Sequence, residues 1–145
     1  MKYSFGFSWK GLLLIMLLMI PNALFALLPN LIPRSQSVKD HLPLDIIEHG
    51  TRAIYIALFI VLRPQKEVII KKGYIISLIM LLLGYYSLWL GLLAGNHSFI
   101  VLLGMAIVPV IYLIIAELWL NIYPAILPTV IFGIIHVIIT YIDFR

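Results

Sequence analysis

Residues 73–94 read GYIISLIMLLLGYYSLWLGLLA, and residues 99–118 read FIVLLGMAIVPVIYLIIAEL. Each stretch has the roughly 20 residues that an α-helix needs to cross the hydrocarbon core of a bilayer. Glu117, near the end of the second stretch, is the only charged residue in either. The short Gly-Asn-His-Ser segment between them predicts a turn, so the pair is predicted to form two consecutive transmembrane helices.

The rest of the 145-residue chain has the same apolar character. Hydrophobic residues make up 63% of it and the mean hydropathy is +1.13, whereas a soluble domain is about half apolar. The sequence therefore predicts one all-α domain over residues 1–145, an integral membrane bundle of about five transmembrane helices. The spans are expected at about 11–32, 44–62, 73–94, 99–118 and 124–141.

The charged residues between the apolar stretches predict the orientation of the chain. Segment 63–72 carries four Lys or Arg residues and a single Glu, and cytoplasmic loops are enriched in Lys and Arg. This segment is therefore predicted to be cytoplasmic, in agreement with a cytoplasmic N-terminus that carries Lys2 and Lys10 and with an outer C-terminus. The net charge of +4 then reflects orientation. No nucleic-acid partner is expected, since no basic stripe is long enough to follow a phosphate backbone.

The first span begins with a basic segment and an apolar run, as a signal peptide does. Ala23 and Ala26 lack the spacing of an A-x-A cleavage site and the apolar run continues past them, so we expect a retained helix. Pro21 is predicted to kink this helix and to free a backbone carbonyl one turn earlier. Asn22 places a polar side chain near the middle of the membrane.

The second span is unusual because only residues 53–62 are uncharged, about half of the length that a crossing helix needs. A helix that crosses must begin near residue 44 and carry four polar or charged side chains in its first half. At about 100° per residue these side chains share one third of the helix circumference. The alternative is that this helix lies in the membrane interface. The four residues are Asp45, Glu48, His49 and Arg52.

Two spans carry stripes of small residues, which allow transmembrane helices to approach closely. Both stripes are expected to bury against neighbouring helices, and the one in the third span also offers a surface for self-association. The third-span stripe consists of Gly73, Ser77, Gly84, Gly91 and Gly95, and the fifth-span stripe of Ala125, Thr129, Gly133, His136 and Thr140.

Four short motifs resemble a family of small bacterial polytopic membrane proteins with no established activity. They are IPN at 20–22, IIEHGTR at 46–52, IVPVI at 107–111 and IFGIIHVIITY at 131–141. The resemblance touches four of the five spans. It implies a multi-pass protein of the bacterial cytoplasmic membrane and adds no chemistry.

Ionisable side chains inside a membrane are costly and are therefore candidates for a functional site. With the topology above, Asn22, Glu48, Arg52 and His136 fall in the middle or outer part of the membrane. We expect them to converge in one polar cluster that opens toward the outer leaflet and binds a ligand. Arg52 would present its guanidinium to a carboxylate or phosphate, held in place by Glu48.

The same residues also allow a purely structural interpretation. Glu48 and Arg52 are four residues apart with the acid first, the favourable order for an ion pair within one helix. That pair would fix the second helix against its neighbours. His136 is also consistent with a hydrogen-bonded packing histidine, and Glu117 with an interfacial residue that caps the end of its span.

Three function classes remain open. The expected one is a non-enzymatic membrane module, either an accessory subunit of a membrane protein partner or a small binding protein for a lipid headgroup or anionic solute. The others are an oligomeric transporter or channel, and an intramembrane lipid-modifying enzyme with His136 as base and Arg52 binding phosphate. Catalytic motifs such as H-E-x-x-H and G-x-S-x-G are missing from the sequence, and there is no Cys. No cofactor and no metal are therefore expected, and the lipid bilayer is the expected partner.

Overall fold

The computed structural model describes residues 3–28, 42–64 and 69–144 and confirms the all-α bundle. Four of its helices are long and apolar enough to cross a membrane, so the chain is a multi-pass membrane protein. The fifth, α2, has 20 residues but carries three charged side chains. The helices are α1 Trp9–Leu27, α2 Leu42–Val61, α3 Lys72–Leu93, α4 Phe99–Leu120 and α5 Tyr123–Phe144.

The helix bounds agree with the predicted spans to within three residues, except at the end of the first. There α1 ends at Leu27, and residues 29–32 of the predicted span lie outside the described residues, as do Lys2 and Lys66. Ser8 is the N-cap of α1, because its hydroxyl accepts a hydrogen bond from the Gly11 N–H in the first turn of the helix. Gly95 and Asn121 adopt positive φ angles in the turns before α4 and α5.

Two three-residue strands, which the sequence did not indicate, join the start of α1 to the end of α2. Strands β1 (Tyr3–Phe5) and β2 (Leu62–Pro64) pair antiparallel, with Ser4 opposite Arg63. We call this end of the bundle the sheet end and the other the far end. The pairing makes α1 and α2 antiparallel neighbours.

Contacts between side chains give the directions of the other helices. Tyr86 contacts Leu17 and Trp89 contacts Phe25, so α3 runs parallel to α1. Glu48 contacts His136 while Tyr55, two turns later in α2, contacts Phe132, one turn earlier in α5. Helices α2 and α5 are therefore antiparallel and packed lengthwise, and the bundle alternates in direction from one helix to the next.

The predicted kink residue Pro21 lies inside α1, and its consequence for hydrogen bonding is visible. A proline has no N–H, so the carbonyl four residues earlier loses its helical donor. That carbonyl belongs to Leu17, and it accepts a hydrogen bond from the Tyr86 hydroxyl at 2.6 Å. The freed polar group is satisfied by a neighbouring helix, as the interior of a membrane requires.

The two small-residue stripes have different environments. The α5 stripe is buried, as predicted, apart from a half-buried His136, and Gly133 lies so close to Val110 of α4 that a Cβ there would be 2.5 Å from a methyl carbon. The prediction for α3 is wrong within this chain. A Cβ on Gly73, Gly84 or Gly91 would meet nothing within 4 Å among the described residues, because α3 packs instead through its Tyr85–Trp89 face.

Candidate functional site

The predicted site residue Glu48 lies where α2 packs against α5. It is 6% exposed, although it is charged and sits in the second turn of its helix. Its Oε1 atom accepts from Arg52 Nη2, one turn along α2, and lies 3.0 Å from His136 Nδ1 of α5. Three of the four predicted site residues are therefore in direct contact, and one carboxylate oxygen joins them.

The aromatic ring of Phe132 contacts both the Arg52 and the His136 side chains of this cluster. Arg52 Cζ lies 5.1 Å from the ring centroid, and the His136 ring stacks on it at 5.1 Å with an interplanar angle of 15°. Phe132 and His136 are one helical turn apart, so they present their rings from the same face of α5. A cation over an aromatic face is attracted by the ring quadrupole, which helps to fix the guanidinium in place.

Asn22, the fourth predicted residue, lines the same cavity as Arg52 and His136 and forms no hydrogen bond with Glu48. Its Oδ1 atom accepts a hydrogen bond from Tyr85 of α3 at 3.3 Å. A cavity of about 450 Å³ lies between the five helices and is lined by side chains from each of them. The polar residues that line it include Asn22, Arg52, Tyr55, Tyr85, Trp89 and His136.

Hydrogen-bond donors dominate the polar part of the cavity wall. The guanidinium of Arg52 has five N–H donors, and its one hydrogen bond to a described residue is the contact with Glu48. Since Asn22 Oδ1 already accepts from Tyr85, the wall favours a ligand that accepts hydrogen bonds.

The cavity is reachable from outside the bundle, and its polar cluster lies deep within it. The side chains of Arg52 and His136 are 35% and 30% exposed, while that of Glu48 is 7% exposed. By the helical rise, Glu48 lies roughly 20 Å from the sheet end of α2. The cavity extends from there toward the far end, where Leu92 and Phe144 line it. Asn22, Tyr85 and His136 lie near the middle of the cavity, and apolar side chains line it on both sides of them.

Two polar residues lie outside the cavity cluster. His49, on the predicted polar face of α2, is exposed and does not line the cavity. The prediction of Glu117 as an interfacial cap is wrong, because Glu117 is 0% exposed and accepts a hydrogen bond from Thr129 of α5. That correction follows from packing, because α5 covers the last turn of α4.

Sequence reasoning also missed the aromatic residues of the cavity. Tyr55 is 2% exposed and packs on Phe132 with ring centroids 5.2 Å apart. Its spacing offered a signal, since Glu48, Arg52, Tyr55 and Phe59 repeat at intervals of four and three residues along one face. Tyr85 and Trp89 have the same spacing in α3, but aromatic residues toward the end of a span are also typical of a membrane interface.

Within the described ranges, no group of three or more His, Asp or Glu side chains is arranged to hold a metal ion. The chain matches no known family model, and no curated protein or solved structure is significantly similar to it.

Proposed function

We propose that this protein is a non-enzymatic membrane module that binds an anionic group, a lipid headgroup or a free solute, in the cavity beside Arg52. The observation that carries this proposal is the ion pair itself: Glu48 holds one guanidinium nitrogen of a half-exposed arginine at the cavity wall. The other donors of the guanidinium make no hydrogen bond within the described ranges. A planar fork of this kind matches a carboxylate or a phosphate.

The charge balance of the cluster supports an anionic ligand. Glu48 and Arg52 neutralise each other, and the polar side chains of Tyr55 and Tyr85 line the same cavity as the guanidinium. An anion that enters would gain charge-assisted hydrogen bonds where little water competes for them. A cationic ligand would meet one carboxylate whose Oε1 atom is already in contact with Arg52 and His136.

We also propose that α2 crosses the membrane and that the sheet end faces the cytoplasm. Helix α2 packs lengthwise against α5, a span by length and composition, so the two lie at a similar tilt. Lys10, Arg63, Lys71 and Lys72 all lie near the sheet end, and cytoplasmic ends carry such residues. The cavity would then open toward the outer leaflet of a bacterial cytoplasmic membrane.

Ligand-induced thermal stabilisation tests the proposed binding site. The protein in a mild neutral detergent would be heated with inorganic phosphate, with phosphatidylglycerol and with phosphatidylcholine. A ligand at 100 times its Kd adds about 2.7 kcal/mol to the free energy of unfolding, a readily measured rise in Tm. Stabilisation by phosphate indicates a solute site, and stabilisation by phosphatidylglycerol alone indicates a headgroup site.

Two matched variants assign the effect to the cavity. Arg52→Lys keeps the positive charge beside Glu48 but loses the planar fork, so we expect it to lose the stabilisation by anions. Arg63→Lys makes the same change at an exposed position of β2 and is expected to keep it. An unchanged response of Arg52→Lys, or no response of the parent protein to any anion, would contradict the proposal.

A second candidate function is favoured by the contact between Glu48 and His136. A carboxylate that orients an imidazole through Nδ1 leaves Nε2 directed elsewhere as a base, so a lipid-modifying activity is also compatible with this cavity. Turnover of a phospholipid by the reconstituted protein that is lost in His136→Ala, but kept in a variant of the exposed His97, would support it. Binding of the same lipid without turnover would exclude it.

A further inference from the structure

Glu117 is a second buried carboxyl, remote from the cavity cluster. It lies three residues before the end of α4 and is fully buried. Its Oε1 atom accepts a hydrogen bond from the Thr129 hydroxyl of α5, whereas its Oε2 atom has no hydrogen-bond partner among the described residues. By the helical rise, it lies roughly 5 Å from the sheet end of α4, about 15 Å below Glu48 along the bundle.

The surroundings of Glu117 do not compensate a negative charge. No Lys, Arg or His within the described ranges forms an ion pair with it, and its neighbours Ala116, Ile122 and Ala125 are apolar and fully buried. An isolated carboxylate in an apolar interior costs far more than a single hydroxyl donor returns. By contrast, the side chains of Arg52 and His136 both contact the Glu48 carboxylate.

We propose that Glu117 is a proton-binding site: it holds a proton on Oε2 at neutral pH and is buried as a neutral carboxylic acid. The unpaired Oε2 atom is the position where that proton sits, while Oε1 accepts from Thr129. An ionisable group buried in a membrane bundle is the kind of residue through which such proteins take up and release protons. This site is distinct from the anion site and does not depend on the proposed function.

One titratable side chain lies between the two carboxyls. By the helical rise, Tyr55 of α2 lies roughly 9 Å from the sheet end, between the depths of Glu117 and Glu48, and it lines the cavity. From α5, the neutral hydroxyl of Thr129 faces Glu117. Measured along the bundle, Glu117 therefore lies nearest the sheet end, Tyr55 lies farther from it, and the Glu48 cluster lies farther still.

Isotope-edited infrared spectroscopy tests this site on the intact protein. The chain has three glutamates, so labelling glutamate with ¹³C at the side-chain carboxyl separates their C=O bands from those of aspartate and lipid. At pH 7 we expect the parent protein to show the band of one protonated glutamic acid. Loss of that band in Glu117→Gln, and its persistence in the matched variant Glu48→Gln, would assign the proton to Glu117.

Thr129→Val gives a second measurement that does not remove the carboxyl. It deletes the hydroxyl donor with little change in volume, so the acid band is expected to shift in frequency. Absence of an acid band in the labelled parent protein would overturn the proposal without any variant. Persistence of the band in Glu117→Gln, or its loss in Glu48→Gln, would overturn it as well.

Discussion

Helices α5 and α3 both carry small residues spaced for close packing, and the bundle buries the stripe of α5 only. Gly133 of α5 admits Val110 of α4 so closely that even a methyl group would collide. A Cβ on Gly84 of α3 would have no neighbour within 4 Å among the residues that the structure describes. Helix α3 instead buries Tyr85, Trp89, Leu78 and Leu92.

The difference shows what selects the buried face of a transmembrane helix. Small residues permit close approach, but they offer little surface for contact. The aromatic face of α3 offers a large contact area and hydroxyl donors. Tyr86 satisfies the carbonyl freed by Pro21, and Tyr85 donates to Asn22. A helix with both options packs through the face that fills space and satisfies buried polar groups.

Gly133→Leu should give the largest loss of stability among substitutions that probe this comparison. A Cβ at this position would be 2.5 Å from Val110 Cγ1, so α4 and α5 must separate to admit the side chain. We expect a loss of about 3 kcal/mol, at the upper end for overpacking, measured as a lower Tm in detergent. Val110→Ala in the same chain should recover part of it.

Arg52→Gln should lower the free energy of unfolding by less than Gly133→Leu does, by about 1–3 kcal/mol. Removing one partner of a fully buried ion pair costs more than this, but the Arg52 side chain is 35% exposed and His136 still contacts the carboxylate. Chemical or thermal unfolding in detergent measures the change. Unchanged or higher stability would mean that the pair is kept for its ligand and not for the fold.

Tyr86→Phe tests the packing face of α3 with a smaller expected effect. It removes the hydroxyl that donates to the Leu17 carbonyl, which then lacks both its helical donor and its substitute. We expect a loss of about 1 kcal/mol in the free energy of unfolding. A Pro21→Ala background restores the helical donor, so Tyr86→Phe should cost less stability there. An equal loss in both backgrounds would show that the Tyr86 hydroxyl does not compensate for the donor that Pro21 lacks.

Gly84→Leu should have the smallest effect. It is the same change as Gly133→Leu, at a position where a Cβ would meet no described residue within 4 Å, and we expect a change in the free energy of unfolding within about 0.5 kcal/mol. Thermal unfolding and the mass of the protein–detergent complex would be measured together. A large loss of stability, or a change in oligomeric state, would show that a second copy covers the α3 stripe.

Much of the fold could be predicted because bilayer thickness imposes it. The apolar stretches around Tyr85 and Val110 have the length of a span and lie between short turns, so their helices follow from composition and length. The strand pair could not be predicted, because Ser4 and Arg63 are 59 positions apart and three-residue strands have no distinctive pattern. Likewise, nothing local distinguishes the outward face of α3 from the inward face of α5.

The candidate site, too, has residues that the sequence predicted and contacts that only the tertiary structure shows. Charge inside an apolar segment identified Glu48, Arg52 and His136, since the cost of burying such groups makes each one conspicuous. Their convergence required the packing of α2 on α5, which brings residues 88 positions apart to 3.0 Å. Tyr55 was overlooked because an aromatic residue in a membrane helix is ordinary until its neighbours are known.

By itself, the sequence determined that this chain is a helical membrane protein and which polar side chains its spans must accommodate. Both follow from one-dimensional quantities, the length of an apolar run and the free energy of placing a charge in hydrocarbon. The tertiary structure decided which helix faces are buried, that Glu48 is paired, and that Glu117 is covered by α5. Those outcomes depend on contacts between distant parts of the chain, which the local pattern of residues does not contain.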